Sequence, residues 1–469
     1  MNLKKILFVR LYQKYDFNFT TPPTGFLYIP AVISEKYPQV EMSFFDFSLP
    51  SATPSAYRSM LDSIRPDCVM FSGTYMERDQ LRWASGTARK ILKDVLCICG
   101  GVLVTTAPEE VLMNQHLDFA VGGEGEERIL KLLANLSGNI DLDGIGYQKD
   151  RTIHYNPPVS MIPDIETIPF PKWDLLDFKA YSGAPTMNGT TKFWPYCTVS
   201  TSRGCPFSCS YCHHTMGRQF RARSPESVRD EIDRLVTGFG IREIHFIDDC
   251  FNLDLERAKK ICRLIIESKF RIGIAFPNAL KGDYLDEELI FLLKKAGCWS
   301  VTVAVENISP RIVKMMDKKL DLSRLRKNVR LLNKYGIYTT AYFMYGFPEE
   351  TLEERRLNGE FADCLEIESL IQFRYIPFPN TRIKSEFYQD LDLRKISSRN
   401  FVYTVKNPGF NKTCMSEQEI DGSVRSNYLS FYSNPRRLLR IMRKYPKKYL
   451  LKHLPTELGD LIKLVFSAF

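Results

Sequence analysis

Three cysteines near the middle of the chain have a spacing that suits metal chemistry. Residues 204–212 read GCPFSCSYC, which places Cys205, Cys209 and Cys212 in one CxxxCxxC run. Three thiolates in one short loop can ligate an iron–sulfur cluster, but they leave one iron of a four-iron cubane without a protein ligand. A fourth cysteine would complete an electron-transfer site. The open iron predicted here can instead chelate a substrate through amino and carboxylate groups.

Zinc is the alternative metal for this run, because His213 and His214 follow Cys212 and offer a fourth ligand. Two adjacent histidines have poor geometry for joining three thiolates, and structural zinc sites usually come as two spaced pairs of ligands. The spacing therefore favours an iron–sulfur cluster, with zinc left open as the alternative.

The remaining cysteines are predicted to be packing residues rather than ligands. The chain has 12 cysteines in 469 residues, far below the density of a disulfide scaffold. Cys68, Cys262, Cys298 and Cys364 lie singly inside apolar runs, which predicts reduced core thiols. Two further cysteines flank the motif region and are interpreted as spare buried thiols. They are Cys197 and Cys250.

Composition restricts the class of protein that carries the motif. With 44% hydrophobic and 25% charged residues, the chain is predicted to fold as two or three domains. The net charge of +9 is modest over this length and does not indicate nucleic-acid binding. No run of about 18 apolar residues is present, and the basic, apolar start is interpreted as a first strand rather than a signal peptide. We expect a cytoplasmic enzyme.

The front of the chain alternates β-branched runs with helix-period segments. This alternation over residues 1–140 predicts βαβ units and an open, Rossmann-like parallel sheet. Several strands end in glycine-rich turns, which would lie at the carboxyl edge where such sheets bind ligands. The alternative is that the glycines only make tight turns. The candidate binding residues at these strand ends are Ser72, Thr74, Gly100, Gly101, Gly123 and Glu124.

A second alternating series follows a proline-rich linker at residues 141–195. Six strand-like runs separated by amphipathic helices over residues 196–385 predict a partial (β/α)6 barrel, whose chemistry should lie at the carboxyl ends of the strands. Lone carboxylates at strand ends are also frequent helix N-caps. The polar candidates at these ends are Asp248, Asp249, Asn278, Lys281 and Glu306.

The C-terminal region, residues 386–469, is predicted to be mainly helical. Residues 435–454 contain eight Lys or Arg and no Asp or Glu, with apolar residues interleaved. Two interpretations stay open. The segment is either an interfacial helix on an anionic membrane leaflet or a solvated face packed against the barrel.

The cysteine run, its place after the first barrel strand and the aromatic Tyr211 before the last cysteine resemble the radical S-adenosylmethionine (SAM) superfamily. The resemblance implies that SAM binds the open iron of a [4Fe–4S] cluster. One electron from a donor such as flavodoxin or ferredoxin then cleaves SAM to methionine and a 5′-deoxyadenosyl radical. It also implies that Tyr211 lines the adenine and that Asp248 and Asp249 meet the amino group, although the family's glycines are absent there. Glu306, Asn278 and Lys281 would contact other parts of SAM.

The front half resembles the cobalamin-binding class of that superfamily, through ICGGVLVTTAPEEVL, DFAVGGEGEE and IETIPFPKWDLLD. The resemblance implies cobalamin at the glycine-rich strand ends and methylation of an unactivated carbon. The family's DxHxxG element is absent, and His116 is the only histidine before residue 150. Its Gly-Gly-Pro-His is replaced by residues 100–103, GGVL. We therefore expect cobalamin without a histidine lower ligand.

Two other functions stay open. One is a radical SAM enzyme with a vestigial cobalamin domain that catalyses rearrangement, oxidation or carbon–carbon coupling. The other is a non-catalytic iron–sulfur sensor or scaffold. The substrate is expected to be a small or lipid-linked molecule, since fold and cofactor do not specify it. No residue that acts on the substrate is predicted.

Overall fold

The computed structural model describes residues 3–13, 19–138, 140–398, 401 and 408–446. Its two large sheets are a seven-stranded sheet before residue 156 and a six-stranded parallel sheet that begins at residue 196. The predicted fold class is confirmed, with an open parallel sheet followed by a partial barrel and a helical C-terminal region.

Five parallel strands and their crossover helices form most of the first sheet. The strands are β1 (Lys5–Arg10), β2 (Glu41–Asp46), β3 (Cys68–Ser72), β4 (Leu96–Gly100) and β5 (Phe119–Val121). The helices are α1 (Thr24–Lys36), α2 (Pro54–Ile64), α3 (Arg78–Ile91), α4 (Val102–Thr106), α5 (Pro108–Leu112) and α6 (Gly125–Ala134). Leu7 and Val9 pack into one helical layer and Ile6 and Phe8 into the other. Burial on both faces explains why these strands are near-continuous apolar runs in the sequence.

The strand order of this sheet defines its ligand-binding edge. The order is β2-β1-β3-β4-β5, so the winding reverses between β1 and β3. Open α/β sheets bind ligands in the crevice outside the carboxyl ends of the strands at such a reversal. Ser72 ends β3 and Gly100 ends β4, and both therefore lie at this edge.

A hairpin extends the first sheet beyond the predicted boundary at residue 140. Strands β6 (Ile145–Lys149) and β7 (Thr152–Tyr155) pair antiparallel, and β6 pairs antiparallel with β5. The turn consists of Asp150 and Arg151, which both have positive φ, at 50° and 63°. Two-residue hairpins of this kind usually carry Asn or Gly. Neither residue is present at this turn, and the sequence analysis therefore did not predict the hairpin. Part of the predicted linker, residues 145–155, belongs to the sheet. The predicted boundary at residue 195 stays a prediction.

The second sheet runs in chain order from edge to edge. Its parallel strands are β8 (Tyr196–Val199), β11 (Glu243–Phe246), β12 (Gly273–Leu280), β13 (Cys298–Glu306), β14 (Tyr338–Tyr345) and β15 (Ser369–Arg374). A separate two-stranded ribbon joins β9 (Ser202–Arg203) to β10 (Arg221–Ala222). The six predicted strand runs are thus the six strands of the partial barrel.

Helices cover the outer face of this sheet. They are α7 (Pro225–Phe239), α8 (Leu255–Glu267), α9 (Glu287–Lys295), α10 (Pro310–Met316), α11 (Leu322–Lys334) and α12 (Leu352–Cys364). Helix α7 has an N-cap, because the Ser224 hydroxyl accepts the Ser227 N–H and Pro225 begins the helix. Gly297 and Gly336 follow α9 and α11 with positive φ, as expected of glycines after helices.

The chain after the barrel is helical where the structure describes it. Three helices, α13 (Arg382–Phe387), α14 (Glu417–Tyr432) and α15 (Pro435–Lys444), follow β15. Helix α14 packs against α12 and β15. Residues 447–454 of the basic segment lie outside the described part of the chain. Among the described helices, none is long and apolar enough to cross a membrane.

Candidate active site at the facing edges of the two sheets

The loop that carries the three cysteines is closed at its base and held at its tip. The ribbon β9–β10 pairs Arg203 with Arg221 on either side of the loop. Gly204 has φ +83°, and a Cβ there would lie 2.2 Å from the Gln219 carbonyl oxygen, so only glycine fits. At the tip, the Ser210 N–H donates to the Met316 carbonyl at 2.9 Å.

The motif cysteines differ from most other cysteines in exposure. Cys205 and Cys209 are half-buried and Cys212 is exposed. The spare thiols flanking the motif are buried as predicted, and so are three of the four predicted core thiols. The buried residues are Cys197, Cys250, Cys68, Cys262 and Cys298. Cys364 is exposed, which corrects its assignment to the core, because Phe361 and Ala362 occupy the buried positions in the last turn of α12.

The three thiols lie close enough to affect one another's ionisation. Cys212 is exposed as a whole residue, but the loop around its thiol shields the sulfur from water; this shielding, followed by the neighbouring Cys209, raises the pKa of Cys212 to about 12. Burial also raises the pKa values of Cys205 and Cys209, while Lys318 opposes the rise at Cys209. Metal ligation requires the thiolate form, so binding of a cluster would release protons here. Three thiols in mutual range, on a loop open to solvent, are a donor set that fits an iron–sulfur cluster.

The positions of the possible metal ligands near the cysteine run bear on the zinc alternative. No three His, Cys, Asp or Glu side chains in the described ranges are positioned to hold one metal ion. His213 packs its ring against Phe378, with centroids 5.3 Å apart. A zinc ion needs several ligands that converge on one point. In a four-iron cubane each thiolate binds a different iron, so the three thiols need not converge on one ion.

Asp248, at the end of the second barrel strand, braces the segment between β8 and the cluster loop. Its Oδ1 accepts the Thr201 N–H at 3.0 Å, the Thr201 hydroxyl at 2.7 Å and the Ser202 hydroxyl at 2.5 Å. Asn278 donates to the carbonyls of Ile247 and Asp248, at 3.1 and 2.9 Å. The Asp248 Oδ2 is buried and accepts no hydrogen bond from the described residues.

Glu306 ends β13 in a strained backbone conformation. Its φ is +67°, which is costly for a residue with a side chain and is often found at functional sites. Its Oε1 lies 3.4 Å from the Tyr211 hydroxyl, a hydrogen-bond donor, and 3.5 Å from the Lys318 ammonium. Tyr211 belongs to the cluster loop, so Glu306 connects the fourth barrel strand to the cysteines.

Lys281 is already engaged within the protein. Its ammonium bonds to Asp283 at 2.9 Å and to the Lys319 carbonyl at 2.7 Å. It also lies over the ring of Phe207 in the cluster loop, 4.9 Å from the centroid. The ammonium therefore supports the loop and would have to exchange partners to contact a cofactor.

One cavity of about 230 Å³ lies between the carboxyl edges of the two sheets. The barrel side contributes Ser200, Ser202 and Asp249, and the cluster loop contributes Met216. The first sheet contributes five of the six residues predicted at its edge. They are Ser72, Gly100, Gly101, Gly123 and Glu124. Thr74 does not line the cavity, because its hydroxyl and N–H form a capping box with Glu77.

A buried ion cluster joins the two edges beside this cavity. Glu124 accepts from Arg203 at 2.9 Å, from Arg221 at 2.7 Å and from the Ile162 N–H at 2.7 Å. Arg203 also bonds to Glu126 at 2.5 Å. Burial opposes ionisation, but the Arg221 and Arg203 guanidinium groups hold the pKa of Glu124 below its usual value. The charged Glu124 thus links the first sheet to the ribbon that closes the cluster loop.

Sequence reasoning missed Arg203, Arg221 and the residues 379–394. The last group lines a second, polar cleft of about 1070 Å³ together with Cys209 and Cys212. The position of Arg203 in the sequence could have marked it as part of the site, since it directly precedes the Gly204–Cys205 pair that begins the cysteine run. No local signal marked residues 379–394, because they reach the cluster loop only through the fold.

Comparisons with known proteins place this site in a class. Residues 199–361 match the family model described as the radical SAM superfamily. An uncharacterized methyltransferase of Pyrococcus horikoshii is 28% identical over 427 residues, covering 90% of each chain. An anaerobic magnesium-protoporphyrin IX monomethyl ester cyclase of Rubrivivax gelatinosus is 24% identical, covering 84% of this chain and 71% of the relative.

A solved structure shares the architecture of both sheets. It is the radical SAM methyltransferase TsrM from Kitasatospora setae with cobalamin and a [4Fe–4S] cluster bound. The TM-score is 0.68 at 19% identity, over 83% of this chain and 78% of that one. Residues 199–361 of the chain are thus similar to the radical SAM superfamily, whose cofactors are SAM and a [4Fe–4S] cluster, and the chain is an enzyme. In sequence it is similar to proteins named as methyltransferases, and in fold it is similar to TsrM, whose structure contains cobalamin.

Proposed function

We propose that this enzyme methylates an unactivated carbon in a cobalamin-dependent reaction. The observation that carries the proposal is the cavity shared by the two sheets, whose barrel side includes Asp249 and whose other side is the glycine-rich edge of the first sheet. When bound, the cluster and cobalamin supply reductive cleavage of SAM to a 5′-deoxyadenosyl radical and a carrier for a methyl group from a second SAM. The protein's task is to hold both at one cavity.

The cluster loop and the barrel strand ends are proposed to hold the cluster and SAM. Cys205, Cys209 and Cys212 would ligate three irons. The SAM ammonium would meet Asp249, which is exposed to the cavity, and the unpartnered Oδ2 of Asp248. Removal from water and then the Asp248 charge raise the pKa of Asp249, and a cation beside it would reverse that effect. Tyr211, Glu306, Asn278 and Lys281 are proposed as the further SAM contacts.

Cobalamin is proposed to bind at the edge of the first sheet. Ser72, Gly100, Gly101 and Gly123 leave this edge open, so backbone groups can approach a large ring closely. His154 of β7 does not line the cavity, and neither does His116, the only histidine before residue 150. A Cβ at Gly86 of α3 would lie 3.0 Å from its ring, so His116 packs on that helix instead. Binding would therefore be without a histidine lower ligand.

The polar cleft beside Cys209 and Cys212 is proposed as the approach for the electron donor. It exposes the cluster loop to solvent, and its lining includes four basic and four acidic residues, which are Arg218, Arg382, Lys384, Arg394, Glu109, Glu110, Asp390 and Asp392. A donor of the flavodoxin or ferredoxin class would contact this face.

A second candidate function is radical chemistry without methylation, with a vestigial cobalamin domain. It is favoured by the similarity to the cyclase of Rubrivivax gelatinosus, whose name does not describe a methyl transfer. The two functions predict different products from SAM.

The test is product analysis of reconstituted enzyme with cobalamin, SAM and a low-potential reductant under anaerobic conditions. Methyl donation from SAM leaves S-adenosylhomocysteine, and reductive cleavage leaves 5′-deoxyadenosine. The proposal predicts both products. Release of 5′-deoxyadenosine alone would favour the second candidate, and release of neither would contradict both.

A further inference from the structure

Helix α15 has an arrangement opposite to that of most surface helices. Its basic residues Arg437, Arg440 and Lys444 face the barrel, while Leu438 and Met442 face solvent. Surface helices normally bury the apolar stripe and expose the charged one. An outward-facing apolar stripe on a surface helix indicates that another surface covers it.

The inward basic residues are used by the fold. Arg437 is buried over the Phe431 ring, 3.5 Å from its centroid, and donates to the carbonyls of Ile367 and Asp363 at 3.2 and 2.9 Å. Arg440 and Lys444 both bond to the buried carboxylate of Glu368, at 3.2 and 2.9 Å. Of the two interpretations of the basic segment, packing against the barrel therefore accounts for these three of its eight basic residues.

The outward face is an apolar patch. Leu438, Leu439 and Met442 are 42%, 48% and 48% exposed, and Leu429 of the adjoining α14 is 43% exposed. Positions three and four apart lie on one side of a helix, so the three α15 residues form a single stripe. Three of the nine large apolar residues exposed in the described chain therefore lie on this one stripe, and a fourth, Leu429, lies on the preceding helix. Concentrated apolar exposure of this kind marks an interaction surface.

The charged residues near the apolar stripe indicate what kind of surface the stripe binds. Arg436 and Arg443 are exposed on α15, and no acidic residue occurs from 435 to 454. The sequence continues with Lys447, Lys448 and Lys452. Asp363 lies beside Ser430 and Arg437, but the charged residues of α15 itself are all basic. An apolar stripe with cations on the same helix suits an interface that is apolar beneath an anionic layer. An acidic protein surface would offer the charge without the apolar layer.

We propose that the α15 patch, formed by Leu429, Leu438, Leu439, Met442, Arg436 and Arg443, binds the surface of an anionic lipid bilayer. The apolar stripe would enter the boundary between headgroups and acyl chains, and the two arginines would contact anionic headgroups. The helix would lie in the plane of the surface with its inner face still on the barrel. The proposal depends on neither the cofactors nor the reaction.

The test is flotation of the full-length protein with vesicles of phosphatidylcholine alone or mixed with phosphatidylglycerol. We expect binding to the mixed vesicles only, weakened by salt. The combined substitutions Leu438→Ser, Leu439→Ser and Met442→Ser should reduce binding to background. Arg436→Gln with Arg443→Gln should weaken it about thirtyfold, at roughly 1 kcal/mol for each arginine. The matched control is Phe291→Ser with Leu352→Ser, which removes exposed apolar residues elsewhere and should leave binding unchanged.

Other results would overturn the proposal. Absence of flotation, equal binding to both vesicle types, or unchanged binding of the triple serine variant would each do so. Light scattering of the same proteins distinguishes a second copy as the occupant. A dimer that the triple serine variant abolishes, without vesicle binding by the wild type, would assign the patch to self-association.

Discussion

The two edges at the shared cavity are built from different kinds of residue, and we propose that they bind their ligands by different means. At the barrel edge, the Asp249 carboxylate lines the cavity, and the thiols lie on the adjoining cluster loop, where Cys209 lines the second cleft. The edge of the first sheet presents small residues, such as Ser72 and Gly100, that leave space. A metal cluster needs particular donor atoms at particular spacings. A large organic ring held by backbone and shape needs only room and a few polar groups. We therefore expect side chains to determine which ligand binds at the barrel edge. At the edge of the first sheet, we expect the space left by small residues to determine it.

The largest expected effect is at the barrel edge. Cys209→Ala should lower SAM cleavage to the rate without protein, because one iron of the cluster loses its ligand, and the first sheet should stay folded. The measurements are 5′-deoxyadenosine release and circular dichroism. Cys250→Ala, which removes a buried thiol nearby, should keep both cluster and cleavage. Retained cleavage in Cys209→Ala would contradict the ligand assignment.

The opposite edge should respond to added volume rather than to lost donors. Gly100→Leu is expected to fill part of the cavity and abolish cobalt binding while iron content stays unchanged. Gly100→Ala is the control, since its Cβ would lie 3.4 Å from the nearest atom, the Val121 carbonyl oxygen, and fits. Cobalt and iron analysis of both variants checks this. Equal cobalt content in the wild type and Gly100→Leu would contradict the proposal that cobalamin binds at the edge of the first sheet.

The ion cluster between the edges should contribute to stability. Glu124→Ala leaves Arg203 and Arg221 buried without their shared carboxylate, which should cost about 3 to 5 kcal/mol in the free energy of unfolding. Denaturant unfolding measures the loss. The control Glu127→Ala removes an exposed carboxylate from the same helix. A loss below about 1 kcal/mol for Glu124→Ala would mean that the two edges are held together by other contacts.

Acid should weaken the barrel edge through Glu354. Burial alone would raise the pKa of Glu354, but hydrogen bonds from Arg311 at 2.7 Å and Ser309 at 2.6 Å lower it to about 2. A depressed carboxyl pKa stabilises the fold above the unfolded value of about 4.3 and loses that contribution as pH falls towards 2. The wild type should lose about 3 kcal/mol more than Glu354→Gln between pH 5 and pH 2. Parallel pH profiles of the two proteins would contradict this.

The smallest expected effect is at Thr74, where a substitution distinguishes a role in helix capping from a role in cobalamin binding. Thr74→Ala should cost about 1 kcal/mol through loss of the capping box and should leave cobalt content unchanged. Thermal unfolding and cobalt analysis measure both. Loss of cobalt at full stability would return Thr74 to the ligand-binding set predicted from sequence.

The sequence predicted the barrel edge in more detail than the first edge. Cysteine spacing and six apolar strand runs are local signals, and they predicted the strands that carry Asp248 and Glu306. The hairpin at Asp150 and Arg151 was missed because its turn lacks the usual Asn or Gly. The ion cluster of Arg203 with Glu124 was missed because it joins residues 79 apart, a contact that only the packing of two sheets creates.

The most direct test of the proposed function is metal analysis of protein prepared and reconstituted anaerobically with iron, sulfide and cobalamin. The proposed function predicts about four irons and one cobalt per chain, with the iron signal in electron paramagnetic resonance altered when SAM is added to the reduced protein. Zinc in place of iron, or a cluster whose signal does not respond to SAM, would contradict it.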